Sequence, residues 1–304
     1  MLPKKTFLIE ILTFDALQQM LVKDIYNKIV TELSSIYNTE EARVIARIYI
    51  QDVLDVKSPL LNESNHINSK TEMGSIEDDL QRLKNYEPIQ YVTGKTVFCG
   101  LPFKVNNQVL IPRPETEELV YWILERNKKI NPIIMDICTG SGCIAISLSK
   151  KKFEAEVWAT DVCDKALSVA KENADLNSTR INFIKDDALN FNISKYPVGI
   201  DILVANPPYI PTVEKVLLDK NVVEFEPHIA LFAPGSPYTF YYHITKIAAI
   251  LLKPGGQVYF EIHSNGANEV RQILADNGFV DIIVRKDLNE NERMICGVLK
   301  NKYF

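Results

Sequence analysis

Several function classes are excluded by what this sequence lacks. Cysteine is scarce: among 304 residues there are five (Cys99, Cys138, Cys143, Cys163, Cys296), an odd set with no Cys-x-x-Cys pair. That speaks against a disulfide framework or a zinc site and makes a reducing compartment the default. Long apolar runs are absent, since none reaches the ~18 residues that cross a bilayer. The opening MLPKKTFLIEILTF imitates a signal peptide only as far as Glu10, and no small-residue cleavage site follows. A cytoplasmic protein without a membrane partner is expected. An excess of basic charge is missing too: the net charge is −5, so no overall field draws the chain to nucleic acid, and no direct nucleic-acid partner is expected. No segment repeats. What remains, 46% hydrophobic and 24% charged residues, is the composition of an ordinary globular chain long enough for two domains.

Periodicity divides the chain. From Thr13 to Ile36 the residues Leu17, Leu21, Ile25, Ile29 and Leu33 recur every fourth position and predict a helix with one apolar face. A second helix is expected from Thr39, its cap, with Glu40 and Glu41 in the first turn. It carries two overlapping apolar rows, Val44 and Ile48, and Ala42, Ile45 and Tyr49. KSPLLNESNHINSKTEMGS reads as a polar loop containing His66. Ser75 and Asp78 then form a capping box for a third helix, with the acidic 77–79 at its exposed start, which must stop before Pro88. Residues 1–84 are thus expected to form a helical bundle. Residues 85–112 read as a β-hairpin linker with a turn at Asn106-Asn107. From 113 to 304, apolar strands (IIMDI, EVWATD, INFI, DILVAN, GQVYFEI) alternate with helical segments, the pattern of a parallel sheet covered on both faces. FVDIIVRKDL and ERMICGVL lack an intervening helix and predict an antiparallel pair at one edge. The fold class is α/β, a Rossmann-like and mostly parallel sheet with an antiparallel edge hairpin, preceded by the bundle.

Chemistry concentrates at strand ends. The first strand runs into DICTGSGC, residues 136–143, and straight on into a helix. Glycines there let a ligand approach the backbone, and the helix N-terminus offers free N–H groups. The next strand ends at Asp161, about 20 residues on, where a carboxylate can accept both ribose hydroxyls. A dinucleotide needs Gly-x-Gly-x-x-Gly, and this loop is spaced otherwise. Its pattern, Asp-x-x-Thr-Gly-Ser-Gly, resembles the S-adenosylmethionine loop of class I methyltransferases. That resemblance implies contacts from Asp136, Cys138, Thr139, Gly140, Ser141 and Gly142, with Asp136 helping to hold the ligand's ammonium. It also implies adenine recognition by Asp187 beside Ala188, in KDDAL.

The fourth strand ends in Asn206-Pro207-Pro208-Tyr209. The Asn206 side-chain carbonyl and the Pro207 backbone carbonyl can accept from both hydrogens of a planar –NH₂ group, proline fixes the geometry, and Tyr209 can stack on that group. An amide or aromatic amine is a poor nucleophile because its lone pair is conjugated, and accepting from both N–H groups as the nitrogen rehybridises favours attack. A sulfonium brings its own leaving group, so this reading calls for no metal.

NPPY occurs in amino methyltransferases of adenine and of glutamine. EPIQYVTGKTVFCGLPFKVNNQVLIPRPETEELV together with EFEPHIAL, however, resembles the release factor glutamine methyltransferases, the PrmC/HemK family, from about Glu87 to near the C-terminus. The resemblance implies S-adenosylmethionine as methyl donor and S-adenosylhomocysteine as product. The implied substrate is the glutamine of the Gly-Gly-Gln motif in class 1 peptide chain release factors. Asn206, Pro207, Pro208 and Tyr209 would hold that glutamine, Asn206 also bordering the cofactor, and the helical domain would dock the factor. Two residues depart from the family pattern. Cys138 stands where the loop usually has its first glycine and either crowds the cofactor or shifts the loop, and His263 replaces the glycine of Glu-Ile-Gly. His263 and His228 read as structural residues rather than bases. The rivals are a ribosomal-protein glutamine methyltransferase, an adenine methyltransferase acting on DNA, and a dehydrogenase or nucleotide-binding module. The DNA enzyme would need a basic cleft and a target-recognition domain that the sequence does not display.

Overall fold

The computed structural model describes residues 20–54, 66–67, 70–152 and 154–300, and the chain splits into two compact units, Met1–Gly94 and Lys95–Phe304. In the first unit, α1 (Val22–Leu33), α2 (Thr39–Val53), α3 (Lys70–Lys84) and α4 (Ile89–Thr93) are helical. The expected fourfold row is real: Ile25, Ile29 and Leu33 are fully buried. The part of the first helix forecast before residue 20, with Leu17, lies outside the described residues, and Met20–Leu21 pair instead with His66–Ile67 as a short antiparallel ladder. His66 is therefore in extended backbone rather than a loop. Of the two apolar rows on α2, Ala42, Ile45 and Tyr49 face the core, while Val44 is 48% exposed.

Two helix starts differ from expectation. Asn38 caps α2 by accepting the Glu41 N–H at 3.0 Å, which makes Thr39 the first helical residue. α3 already runs from Lys70, so Ser75 lies inside the helix rather than at its start, and Asp79 sits mid-helix, accepting from the Tyr49 hydroxyl at 2.9 Å. The unit extends past residue 84 because Arg82 reaches forward, donating to Glu87 at 2.9 and 2.7 Å and to the Tyr91 carbonyl at 3.1 Å. Ile89 and Val92 of α4 then close its apolar core.

The second unit opens with the hairpin β1 (Lys95–Phe98) and β2 (Leu101–Lys104). Its turn is Cys99-Gly100, with φ of 51° and 77°, as a two-residue type I′ turn requires. Asn106-Asn107 instead form a turn after the hairpin, in which the Val109 N–H reaches the Asn106 carbonyl at 3.1 Å. The stretch 85–112 is thereby divided between the units. Phe98 and Phe103 meet edge to face at 6.0 Å and join the core of the second unit.

Along the rest of the chain come α5 (Pro114–Arg126), β3 (Ile133–Ile137), α6 (Cys143–Lys151), β4 (Glu156–Asp161), α7 (Asp164–Leu176), β5 (Asn182–Lys185) and β6 (Ile200–Ala205). They are followed by α8 (Thr239–Leu251), β7 (Leu252–Glu261), α9 (Ala267–Asp276), β8 (Phe279–Lys286) and β9 (Glu292–Leu299). The seven strands lie in the order β8-β9-β7-β6-β3-β4-β5. The block from β7 to β5 is parallel, and β9 pairs antiparallel with both β7 and β8. β6 is buried at every position, as a central strand covered on both faces must be. Its Leu203 and Ala205 pack with Met135 and Ile137 toward α8 and α9. Ile202 and Val204 pack with Ile134 toward α5 and α6. Among the described residues no helix is long and apolar enough to cross a membrane.

β3 is the switch point, since the chain proceeds through β4 and β5 on one side of it and then returns to β6 on the other. Ligands of open α/β sheets bind at the carboxyl ends of the strands flanking such a point. Register does the aligning: Ile137 pairs with both Ala205 and Thr160. The residues that follow, Cys138, Asn206 and Asp161, therefore emerge at one level.

Candidate functional site

A cavity of about 350 Å³ opens at those strand ends. Of the residues predicted from sequence, Cys138, Thr139, Gly140, Ser141, Asp161, Asp187, Ala188, Asn206 and Pro208 line it. Asp136, Gly142, Pro207 and Tyr209 do not. Asp136 lies beneath the loop, and Pro207 is buried behind Asn206.

The glycine loop keeps its shape through side chains. Asp136, fully buried, accepts from the Thr139 hydroxyl at 2.6 Å and from the Ala145 N–H at 3.3 Å, both through Oδ2. Its Oδ1 is buried without a partner. Burial pushes this carboxyl up to about 7, against the pull of the Thr139 hydroxyl and the Ala145 N–H. Asp161 accepts from Gly140 N–H at 2.9 Å and Cys163 N–H at 3.0 Å, so it ties the loop to the end of β4. Burial raises its pKa as well, opposed by those same N–H groups. Cys138 has φ of 62°, the left-handed conformation that glycine adopts most readily, so the cysteine bears backbone strain. Gly142, at φ 81°, takes a backbone conformation that residues with a side chain rarely adopt, and a Cβ there would also meet Ile146 Cδ1 at 2.9 Å and Ala170 Cβ at 3.2 Å. Asn173 on α7, unremarked in the sequence, donates to the Ser141 carbonyl and the Lys104 carbonyl, both at 3.0 Å, and holds the loop to the hairpin.

The next wall is formed after β5. Asp186 is spent on structure, accepting from Asp187 N–H, Asn192 N–H and the Tyr196 hydroxyl. Asp187 lines the cavity and accepts the Leu189 N–H at 2.9 Å. Acidic groups at 161 and 187 line the cavity, and Asp136 beneath its loop carries an unpartnered oxygen, a set that suits a nucleoside-like ligand with positive charge and suits a pyrophosphate poorly.

Across the cavity, the Asn206 Nδ2 donates to Thr116 Oγ1 at 3.1 Å, and Thr116 Oγ1 donates to Glu261 Oε2 at 2.6 Å. Tyr209 donates its hydroxyl to Glu261 Oε1 at 3.1 Å. Burial raises the pKa of both Tyr209 and Glu261, while hydrogen bonds from Thr116 and Tyr209 and the charge of Arg293 pull Glu261 down. Thr116 and Glu261 were not singled out from sequence. Glu261 carries one readable signal, an acidic residue ending an apolar strand, as Asp161 does. Glu226 of EFEPH is buried, accepts the Ile111 N–H at 3.2 Å and pairs with Arg113. That pins the strip carrying Leu110, Pro112 and Arg113 against the cavity. His263 meets Glu214 at 3.1 Å and lies edge-on to Tyr209, and His228 Nε2 sits 2.8 Å from the Val223 carbonyl.

Comparison with known proteins identifies relatives of the chain. Residues 116–224 fit the family model described as Methyltransferase small domain, and residues 24–94 fit PrmC N-terminal domain. The release factor glutamine methyltransferase of Flavobacterium psychrophilum is 42% identical, over 91% of this chain and 98% of its own length. That of Bacteroides thetaiotaomicron is 36% identical, over 86% of this chain and 95% of its own. Among solved structures, a methyltransferase from Pyrococcus furiosus superposes with a TM-score of 0.51 at 15% identity, covering 76% of this chain and all of that one, a likeness of fold.

Proposed function

The chain belongs to the release factor glutamine methyltransferase family, and on that premise we propose that it methylates class 1 peptide chain release factors in the cytoplasm. The acceptor is the side-chain amide nitrogen of the glutamine in their Gly-Gly-Gln motif, and the donor is S-adenosylmethionine. The observation that carries this reading is the state of Asn206: its Nδ2 is engaged by Thr116, which leaves the Oδ1 end to accept from a substrate amide at the rim of an acid-lined cavity.

The donor's fit rests on the unpartnered Asp136 Oδ1, a counter-charge for its ammonium, with Thr139, Gly140 and Ser141 forming the loop around it. Asp161 would take the ribose hydroxyls, and Asp187 with Ala188 the adenine. When bound, the donor supplies a methyl group on a sulfonium and a neutral thioether as leaving group, S-adenosylhomocysteine. The chain's own task is to orient the glutamine. Asn206 Oδ1 and the Pro207 carbonyl accept its two N–H groups, which withdraws the nitrogen lone pair from conjugation as the N–C bond forms and the C–S bond breaks. The extra proton on nitrogen then leaves to solvent. Pro208 and Tyr209 complete the turn, and Tyr209, tied to Glu261, borders the acceptor side from outside the cavity wall. The helical unit is the surface we assign to docking the release factor.

Purified release factor, ribosomal proteins and DNA, incubated in parallel with labelled S-adenosylmethionine, test the assignment. Label is expected in release factor alone. Label in a ribosomal protein or in DNA would replace the substrate while leaving the methyltransferase chemistry in place.

A further inference from the structure

We propose that Thr116 and Glu261 are positioning residues that set which end of the Asn206 amide faces the substrate, and that the same carboxylate fixes Tyr209. The inference rests on the reading of Asn206 as the acceptor for the target amide. An asparagine side chain has two ends of similar shape and opposite polarity. With Oδ1 toward a substrate –NH₂ it accepts, and with Nδ2 there two donors would face each other. Something must therefore fix the orientation.

The fixing runs outward from Glu261. Glu261 is 2% exposed and accepts at both oxygens, Oε2 from the Thr116 hydroxyl at 2.6 Å and Oε1 from the Tyr209 hydroxyl at 3.1 Å. Thr116 has a single hydroxyl proton, and it is given to Glu261. Toward Asn206, at 3.1 Å, the Thr116 oxygen can then only accept, so Asn206 must present Nδ2 to it and keep Oδ1 free. Polarity is thus passed from a carboxylate at the end of β7, through the first turn of α5, to the end of β6. Thr116 is 2% exposed, so water does not compete for these bonds.

The test uses the full chain with release factor as acceptor and compares Thr116→Val, which keeps the shape and loses the hydroxyl, with Thr116→Ser, which keeps the hydroxyl. Thr116→Val is expected to lower kcat about 10²-fold, the scale of a misplaced reacting group, with little change in KM for release factor. Thr116→Ser should recover most of that loss. In an Asn206→Ala background, Thr116→Val should cost nothing more, because its effect passes through Asn206. Wild-type kcat in Thr116→Val, or a loss that adds fully to that of Asn206→Ala, would overturn the relay. A thermal melt checks folding. If Thr116→Val does not fold, Glu261→Gln takes its place, since it keeps the shape and swaps one acceptor for a donor: a fall in kcat at near-constant KM supports the relay, and an unchanged kcat overturns it. Absence of transfer to release factor by the wild-type enzyme overturns the functional reading and this inference together, whereas transfer by wild type and by Thr116→Val alike overturns the relay alone.

Discussion

The two sides of the cavity are built differently. The side assigned to the methyl donor is local: Asp136 near the end of β3 leads into the loop with Thr139 and Gly140, Asp161 ends β4, and Asp187 follows β5 by two residues. Its bonds run largely between carboxylates and backbone N–H groups. The acceptor side is assembled from distant parts of the chain through side chains alone, with Asn206 and Thr116 separated by 90 residues and Thr116 and Glu261 by 145. A backbone-built site follows once the strands are in register. A side-chain relay needs the whole sheet packed before its polarity is defined.

If the sides are separable, substitutions should strike binding and turnover separately. The largest effect is expected on the acceptor side: Asn206→Ala should cost ~10²–10³-fold in turnover, the scale of losing one preorganised polar group at a reacting centre. Calorimetry should find donor affinity changed far less, and a parallel collapse of donor binding would merge the two sides. On the donor side, Asp161→Ala should weaken S-adenosylmethionine binding by ~1.5–3 kcal/mol, roughly 10- to 10²-fold, as a charge-assisted hydrogen bond is lost. Unchanged affinity would remove Asp161 as the ribose ligand.

Asp136 gives the donor side a pH signature. Its carboxyl stands at about 7 in the fold against an ordinary 3.8. A raised acid favours the folded state below its unfolded pKa, and that contribution is lost as pH rises through about 7. Pairing with the ligand's ammonium requires the ionised form, so donor affinity should climb with pH, by at most ~10-fold per unit, and level off above about 7. Binding titrations across that range check it. Asp136→Asn should bind more weakly with a flat profile, and a wild-type profile that is itself flat would contradict the ammonium contact. The smallest effect is expected at Cys138. Replacement by glycine relieves ~1–2 kcal/mol of left-handed strain and gives back ~0.5–1 kcal/mol in unfolded-chain entropy. The melting temperature should move by a few degrees at most, and donor affinity should hold or tighten. A tenfold loss of affinity would show that the thiol itself contacts the ligand.

This division also explains what could be read in advance. The sheet and its antiparallel edge were legible because strand patterns are local signals, Asp161 stood out as a strand-end acid, and NPPY as a rigid polar stop to an apolar strand. Thr116 and Glu261 were not, since nothing near either residue says that Asn206 will meet them. The hairpin turn was placed at Asn106-Asn107 because asparagine tolerates left-handed backbone, yet Cys99 takes that conformation beside Gly100. Ser75 looked like a cap because the capping-box spacing also occurs inside helices, and α3 had begun at Lys70. The helical unit ran past 84 through Arg82, which reaches Glu87 and the carbonyls of Tyr91 and Val92, five to ten residues further on.

The central claim, methylation of one glutamine nitrogen, is tested most directly by mapping the methyl group. Release factor with its Gly-Gly-Gln motif intact, and the same factor with that glutamine changed to alanine, are each incubated with the full chain and S-adenosylmethionine, digested, and analysed by tandem mass spectrometry. The account predicts one methyl group on the motif glutamine side chain of the intact factor and none on the variant. Equal methylation of both factors, or a methyl group on any other residue, would contradict it.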